Sequence, residues 1–359
     1  MLNEKNKREQ NLIDTILKLL NLIIFLFLLI GVLIYFNFCG IPEIFSPMEH
    51  RKIEVVKTVP EKKSEPITDV WVAPDTNNIP NDAQGKIIHY GRSLIANTAY
   101  YLGPKGSVKQ ISNGMNCQNC HLDAGTKPFG NNYSAVASTY PKLRERSGAV
   151  ENIYKRVNDC FERSLNGTGL DSLSKEMQAI KAYLVWLGKD VKKGDKPKGV
   201  GLTKLAFLNR AADPIKGKSI YIAKCKACHS DNGEGKMNPD NITYQYPPLW
   251  GKSSYNIGAG LYRLTKFAGY VKSNMPLGTT YDAPQLTDEE AWDIAAFVNS
   301  QQRPLKDLRK DWPNVSGKSI DEPFGPYTDV FTEHQHKYGP FESISAFKKK
   351  EKDKKINFK

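Results

Sequence analysis

Apolar positions divide this chain into stretches of different kinds. From Leu19 to Phe36 every residue is apolar except Asn21 and Tyr35, a run just long enough to span a bilayer as a helix. Residues 19–39 are therefore expected to be a transmembrane anchor or a signal, behind a short cytoplasmic head, residues 1–18. Bulky Phe38 directly before Cys39 argues against lipoprotein cleavage, and no small-x-small pattern follows the run. Residues 40–80 carry Pro42, Pro47, Pro60, Pro66, Pro74 and Pro80 among charges without a period, as expected of an extended linker. Helical periodicity begins near Asn81, through Ile87, Ile88, Tyr90, Leu94 and Ile95. It returns in Asn152 to Leu165, with Ile153, Val157, Phe161 and Leu165 on one stripe, and in Ser174 to Leu187, with Met177, Ile180, Leu184 and Leu187 ahead of Gly188. A second cycle starts with Gly217 to Lys224 and closes where Thr287 and Glu290 form a capping box before Ala291, Ile294, Ala295 and Val298. The pattern predicts a mostly α protein with domains over residues 81–200 and 201–305. Residues 306–359 are expected to form a surface extension with a solvated basic tail, His334 and His336 lying on that surface.

Charge narrows the partners. The chain has 359 residues and a formal net charge of +13. The last twelve residues, from Lys348, hold seven Lys against Glu351 and Asp353 and supply +5 of it. The remaining basic residues are interspersed with acids and form no run interleaved with aromatics, which points away from nucleic acid and toward small anions.

Two motifs decide the broad class. Cys117-Gln118-Asn119-Cys120-His121 and Cys225-Lys226-Ala227-Cys228-His229 are both C-x-x-C-H, the haem c attachment sequence, in which two thiols add to the haem vinyl groups and the adjacent imidazole binds iron. A structural zinc site needs a fourth ligand, and each cluster has three. The chain is thus expected to carry two covalently bound haem c groups, with Cys117, Cys120, Cys225 and Cys228 attaching them and His121 and His229 as proximal metal ligands. Covalent haem attachment takes place outside the bacterial cytoplasmic membrane, so everything after Cys39 is expected to be periplasmic. The arrangement of terminal helices around each motif resembles class I cytochrome c domains, two in tandem.

Each iron needs a second axial ligand or an open position. Met275 lies 46 residues after His229 in Ser273-Asn274-Met275-Pro276-Leu277, a setting similar to the methionine loop of class I cytochromes. Met237 is a rival, and Lys272 a more distant one. For the first haem, Met177 falls on a core stripe, whereas Cys160 lies 39 residues after His121 on the Asn152–Leu165 helix. Arg156, Cys160 and Ser164 are spaced four apart, which on a helix makes one narrow stripe of cation, thiol and hydroxyl. A buried structural Cys beside solvated arginines would leave the same pattern.

These residues, together with Tyr140-Pro141-Lys142-Leu143-Arg144-Glu145-Arg146-Ser147-Gly148, resemble the dihaem thiosulfate dehydrogenases, some of which also act as tetrathionate reductases. The resemblance covers about residues 80–305. It implies His121/Cys160 ligation of an active-site haem with Arg146, Arg156 and Ser164 around the substrate, His229/Met275 ligation of a second haem, and interconversion of thiosulfate and tetrathionate. Electrons would pass to or from a periplasmic cytochrome or another membrane redox partner. Some members have Lys directly before this Met, and Asn274 stands there here, so a Lys-to-Met ligand exchange is not implied. The competing reading is a membrane-anchored dihaem electron-transfer cytochrome, such as an oxidase subunit, which needs no Arg-Cys-Ser stripe.

Overall fold

Each half of the haem-motif region is held by two helices that cross at a glycine. The computed structural model describes residues 15–31 and 69–357, in two units that divide between Ser64 and Glu65. In the first unit, residues 15–31 form one helix, α1, with large apolar side chains exposed, Phe27 and Leu28 among them. No helix among the described residues is long and apolar enough to cross a membrane. Residues 32–39 of the expected anchor, Cys39 included, and most of the expected linker lie outside the described residues.

In the second unit, α2 (Ala83–Ala96) starts where the Asp82 carboxylate accepts from the Gly85 amide at 2.8 Å. It packs on α4 (Lys175–Leu187), whose Met177, Ile180, Leu184 and Leu187 are all buried as their spacing predicts. A Cβ at Gly91 would run into the carbonyl oxygen of Ala179 on α4, so the approach of the two backbones requires glycine. Between them in sequence comes α3 (Ile153–Arg163), with Asn152 as its cap. The buried stripe of α2 is Ile88, Gly91, Leu94 and Ile95, and the expected Ile87 faces outward.

The next domain repeats the device. Asp213 caps α5 (Pro214–Lys224), which carries Pro at its first position and packs on α7 (Asp288–Ser300), opened by the expected Thr287–Glu290 capping box. A Cβ at Gly217 would strike the carbonyl of Asp293 on α7. The helix α6 (Leu264–Asn274) packs on α7 and ends at Met275. Two short antiparallel hairpins complete the set, β1 (Lys142–Arg144) with β2 (Ala149–Glu151) and β3 (Lys236–Met237) with β4 (Tyr244–Tyr246).

Side chains join the two domains directly. The Tyr270 hydroxyl of α6 donates to the Asn119 carbonyl inside the first C-x-x-C-H at 2.7 Å, and Asn274 donates to the Phe129 carbonyl at 3.0 Å. Leu122, immediately after the first motif, packs against the second core.

Both expected boundaries shift. Ile79 is buried, and Trp71, whose amide donates to Lys198, packs on the first core, so the end of the supposed linker belongs to the first domain. The C-terminal extension is likewise part of the core. The helices α8 (Glu333–Tyr338) and α9 (Glu342–Asn357) follow it; Phe341 and Ile344 join the second hydrophobic cluster, and Asp311 forms a two-pronged ion pair with Arg163 at 2.7 and 2.8 Å. His334 is exposed as expected, but His336 is fully buried, stacked on Tyr327 and bonded to the Ile320 carbonyl and the Asp329 carboxylate. Sequence polarity misled here because a polar strap can bury residues when its charges find partners on both domains.

Candidate functional site

The first C-x-x-C-H motif is fixed by hydrogen bonds before any cofactor is considered. The Thr98 hydroxyl accepts from the Cys117 amide at 3.0 Å, Gln118 donates to the Ala96 carbonyl at 2.7 Å, and Asn119 accepts from the Asn116 amide at 2.7 Å. Next to the motif, the His121 Nδ1 lies 2.6 Å from the Asn131 carbonyl, and the ring stacks on Tyr133 at 4.4 Å. A carbonyl can only accept, so Nδ1 carries the proton and Nε2 presents its lone pair. Burial pushes the imidazole pKa down to about 4, keeping it neutral and able to bind a metal.

Cys117, Cys120 and His121 line a cavity together with Arg156, Cys160 and Ser164. Its empty space is about 1160 Å³, part of it open to solvent, which is room for a group of haem size. Burial pushes the Cys117 and Cys120 thiols up to about 12, so they stand as neutral thiols facing an apolar interior. The Asn131 side-chain amide lies 3.5 Å from that Nε2, a long contact that an iron would replace. Two thiols, a neutral imidazole with its Nε2 lone pair toward the cavity and a largely apolar chamber are the donor set that haem c requires, so the residues fit the group.

The α3 helix presents more of itself to this cavity than its pattern suggested. Both stripes, Arg156-Cys160-Ser164 and Ile153-Val157-Phe161-Leu165, line it. Arg156 Nη1 donates to Cys160 Sγ at 3.1 Å. The electrostatic interaction with Cys160 raises the already high Arg156 pKa, and burial opposes this.

Three cations missed in the sequence also line the cavity: Lys142, Arg144 and Lys196. With Arg156 they make four cationic side chains, and no Asp or Glu is among the lining residues. The signal lay in the strand period: Lys142 and Arg144 alternate with exposed Leu143 on β1 and so share a face. Burial and the neighbouring Arg144, Lys196 and Arg156 push the Lys142 pKa down. Glu151, across the hairpin and buried, lies 3.8 Å from Arg144.

Arg146 is placed elsewhere. The chain leaves β1 after Arg144 and reverses through a turn in which the Gly148 amide bonds the Arg144 carbonyl, Gly148 taking φ of 66°. Arg146 therefore lies outside the cavity lining, donating to the Gly258 carbonyl at 2.8 Å and standing 3.9 Å from Asp311. Burial and nearby Arg163 push its pKa down to about 10.

In the second motif, the His229 Nδ1 is 2.9 Å from the Pro247 carbonyl, and burial lowers the imidazole pKa, the same tautomer logic as at His121. Burial pushes the Cys225 thiol up to about 11. Met275, at the end of α6, packs with Cys225 against the second core. Its rivals are placed otherwise: Met237 sits on an exposed strand position, and Lys272 is held by the Leu286 carbonyl and Asp288 at 2.8 and 2.7 Å. Met177 is wholly buried in the first core.

Comparison with known proteins agrees with both motifs. Residues 107–192 match the SoxA/TsdA cytochrome c domain family and residues 215–302 the cytochrome c family. The chain is 37% identical over 244 residues to a thiosulfate dehydrogenase of Psychrobacter arcticus, an alignment covering 67% of this chain and 71% of that one. It is 35% identical over 262 residues to the thiosulfate dehydrogenase of Stutzerimonas stutzeri, covering 69% and 82%, and 36% identical over 245 residues to that of Allochromatium vinosum, covering 67% and 87%. Among solved structures, the as-isolated thiosulfate dehydrogenase (TsdBA) of Marichromatium purpuratum superimposes with a TM-score of 0.63 at 27% identity, covering 74% of this chain and 54% of that longer one. With two cytochrome c domains in the order its motifs predict and this similarity across most of its length, the chain belongs to the thiosulfate dehydrogenase family.

Proposed function

We infer that the protein is a dihaem cytochrome c oxidoreductase that couples two thiosulfates into tetrathionate, releasing two electrons, and can run the reverse reaction. The observation that carries this is the cavity itself: a cysteine and a histidine face one chamber lined by four cations and no carboxylate. Two dianions repel each other strongly at bonding distance, so a site that brings them together needs fixed positive charge. An electron-transfer domain has no such need.

Cys117, Cys120, His121 and Cys160 would hold the first haem, and Cys225, Cys228, His229 and Met275 the second. Bound there, haem supplies one-electron acceptors, two of which match a two-electron oxidation. The Arg156 guanidinium fixes the Cys160 sulfur and offers its remaining N–H groups to a sulfonate, and the Ser164 hydroxyl donates a further hydrogen bond. Arg146 acts on this site through position, tying the hairpin that carries Lys142 and Arg144 to the second domain. The contact of Tyr270 with Asn119 supports electron passage between the two haems. The electrons then go to or come from a periplasmic cytochrome or a membrane redox partner. The large apolar side chains exposed along α1 support the reading that residues 19–39 anchor a periplasmic protein to the inner membrane.

The test is an anaerobic assay of the holoprotein with thiosulfate and an artificial acceptor, quantifying tetrathionate, beside Cys160→Ala. Tetrathionate formed by the wild type and lost in the variant is expected. Failure of the wild type in both directions would leave the electron-transfer cytochrome as the better reading.

A further inference from the structure

Arg156 and Ser164 account for one sulfonate, but the reaction brings two thiosulfates into the same chamber. Two of the other cations that line it stand apart by their partners. Arg144 is compensated by Glu151. Lys142, half-buried on β1, touches the Tyr140 ring at 4.6 Å; Glu151 stands opposite it across the hairpin but forms no ion pair with it and does not offset its cationic neighbours, and Lys196, exposed on the segment after α4, forms no ion pair among the described residues either. The two ammonium groups come from different elements, yet they line one cavity, and the Lys196 charge is among those that push the Lys142 pKa down. Like charges at a protein surface ordinarily move apart or acquire an acid between them.

We propose that Lys142 and Lys196 form an outer anion-holding pair that takes the second thiosulfate, and in the reverse reaction the far sulfonate of tetrathionate. The inference rests on the thiosulfate reading above and adds a second subsite to it. Chemistry separates the two subsites. A guanidinium fork such as Arg156 suits an anion held in one orientation, whereas ammonium groups on flexible stems suit one that must approach and leave. The S–S bond forms between the terminal sulfurs of the two thiosulfates as two electrons depart, and no bond to either lysine is made or broken.

Charge gives the pair a distinctive signature. A thiosulfate in the outer subsite carries two negative charges, while the sulfonate end of a bound tetrathionate carries one. Removing the two lysine charges should therefore weaken thiosulfate by about the square of the factor that it weakens tetrathionate.

The experiment uses the full holoprotein with Lys142→Gln/Lys196→Gln. The thiosulfate KM is expected to rise about tenfold and the tetrathionate KM only about threefold, with the haem absorption spectrum unchanged and the ionic-strength dependence of the thiosulfate rate flattened. Lys142→Arg/Lys196→Arg, which keeps both charges, should hold the thiosulfate KM within about twofold of wild type. An unchanged thiosulfate KM in the Gln variant, equal factors for the two substrates, or a comparable rise in the Arg variant would each overturn the outer pair while leaving the oxidoreductase intact. A wild type that neither forms nor consumes tetrathionate would overturn both.

Discussion

Arg156 and Cys160 lie one helical turn apart on α3, with the guanidinium donating to the sulfur at 3.1 Å inside the first haem-motif cavity. A thiol and a cation are thereby fixed by backbone geometry alone, without a second element to orient them. The consequence is a sulfur held in place by a hydrogen bond from its own helix. Arg156→Lys keeps the charge but loses the fork, and tetrathionate formation is expected to fall about 10- to 100-fold, the worth of a charged hydrogen bond. Steady-state rates check this together with the low-temperature EPR signal of the holoprotein, which is expected to shift on the proposed binding of iron by the Cys160 sulfur.

The glycine crossings give a stability prediction. Gly91→Ala and Gly217→Ala each place a methyl group against a carbonyl of the facing helix, Ala179 and Asp293 respectively. Each should destabilise its domain by about 1–3 kcal/mol. Thermal unfolding followed by circular dichroism should show a lowered midpoint for both variants.

Asp311 sits at the meeting of three segments, paired with Arg163 and lying 3.9 Å from Arg146. All three side chains are largely buried. Asp311→Asn leaves two guanidinium groups short of a counter-charge and is expected to cost about 3 kcal/mol. Chemical denaturation would report it as a lowered midpoint at unchanged slope.

Asp321 supplies the pH dependence. Burial by itself would raise its pKa, but Arg263 and the Thr265 hydroxyl and amide more than offset this and hold the carboxyl below its usual value. A carboxyl whose folded pKa lies below its unfolded one contributes stability fully above about pH 4 and loses it as pH falls through the folded value. Denaturation midpoints of wild type and Asp321→Asn should differ clearly at about pH 6 and converge as the pH is lowered below about 3.

What could be read in advance was whatever is local in the chain. The two C-x-x-C-H motifs are contiguous, so spacing alone singles out Cys117, Cys120, His121, Cys225, Cys228 and His229 as haem-site candidates. The Thr287–Glu290 box and the stripe of α4 are set within one or two helical turns, and both formed where the sequence places them. The Arg156-Cys160-Ser164 stripe also followed from helix period, because any helix there must bring those three together.

Tertiary structure decided what depends on residues distant in sequence. Arg146 shares the two-residue alternation of Lys142 and Arg144, yet the hairpin turn carries it out of the cavity to Gly258, more than a hundred positions away. Lys196 enters the same lining from beyond α4, a proximity no local pattern encodes. The polar C-terminal strap is core because Asp311 meets Arg163 and Asp321 meets Arg263 across domain boundaries. Periodicity fixes which face a residue occupies on its own element; only the packing of elements determines what that face meets.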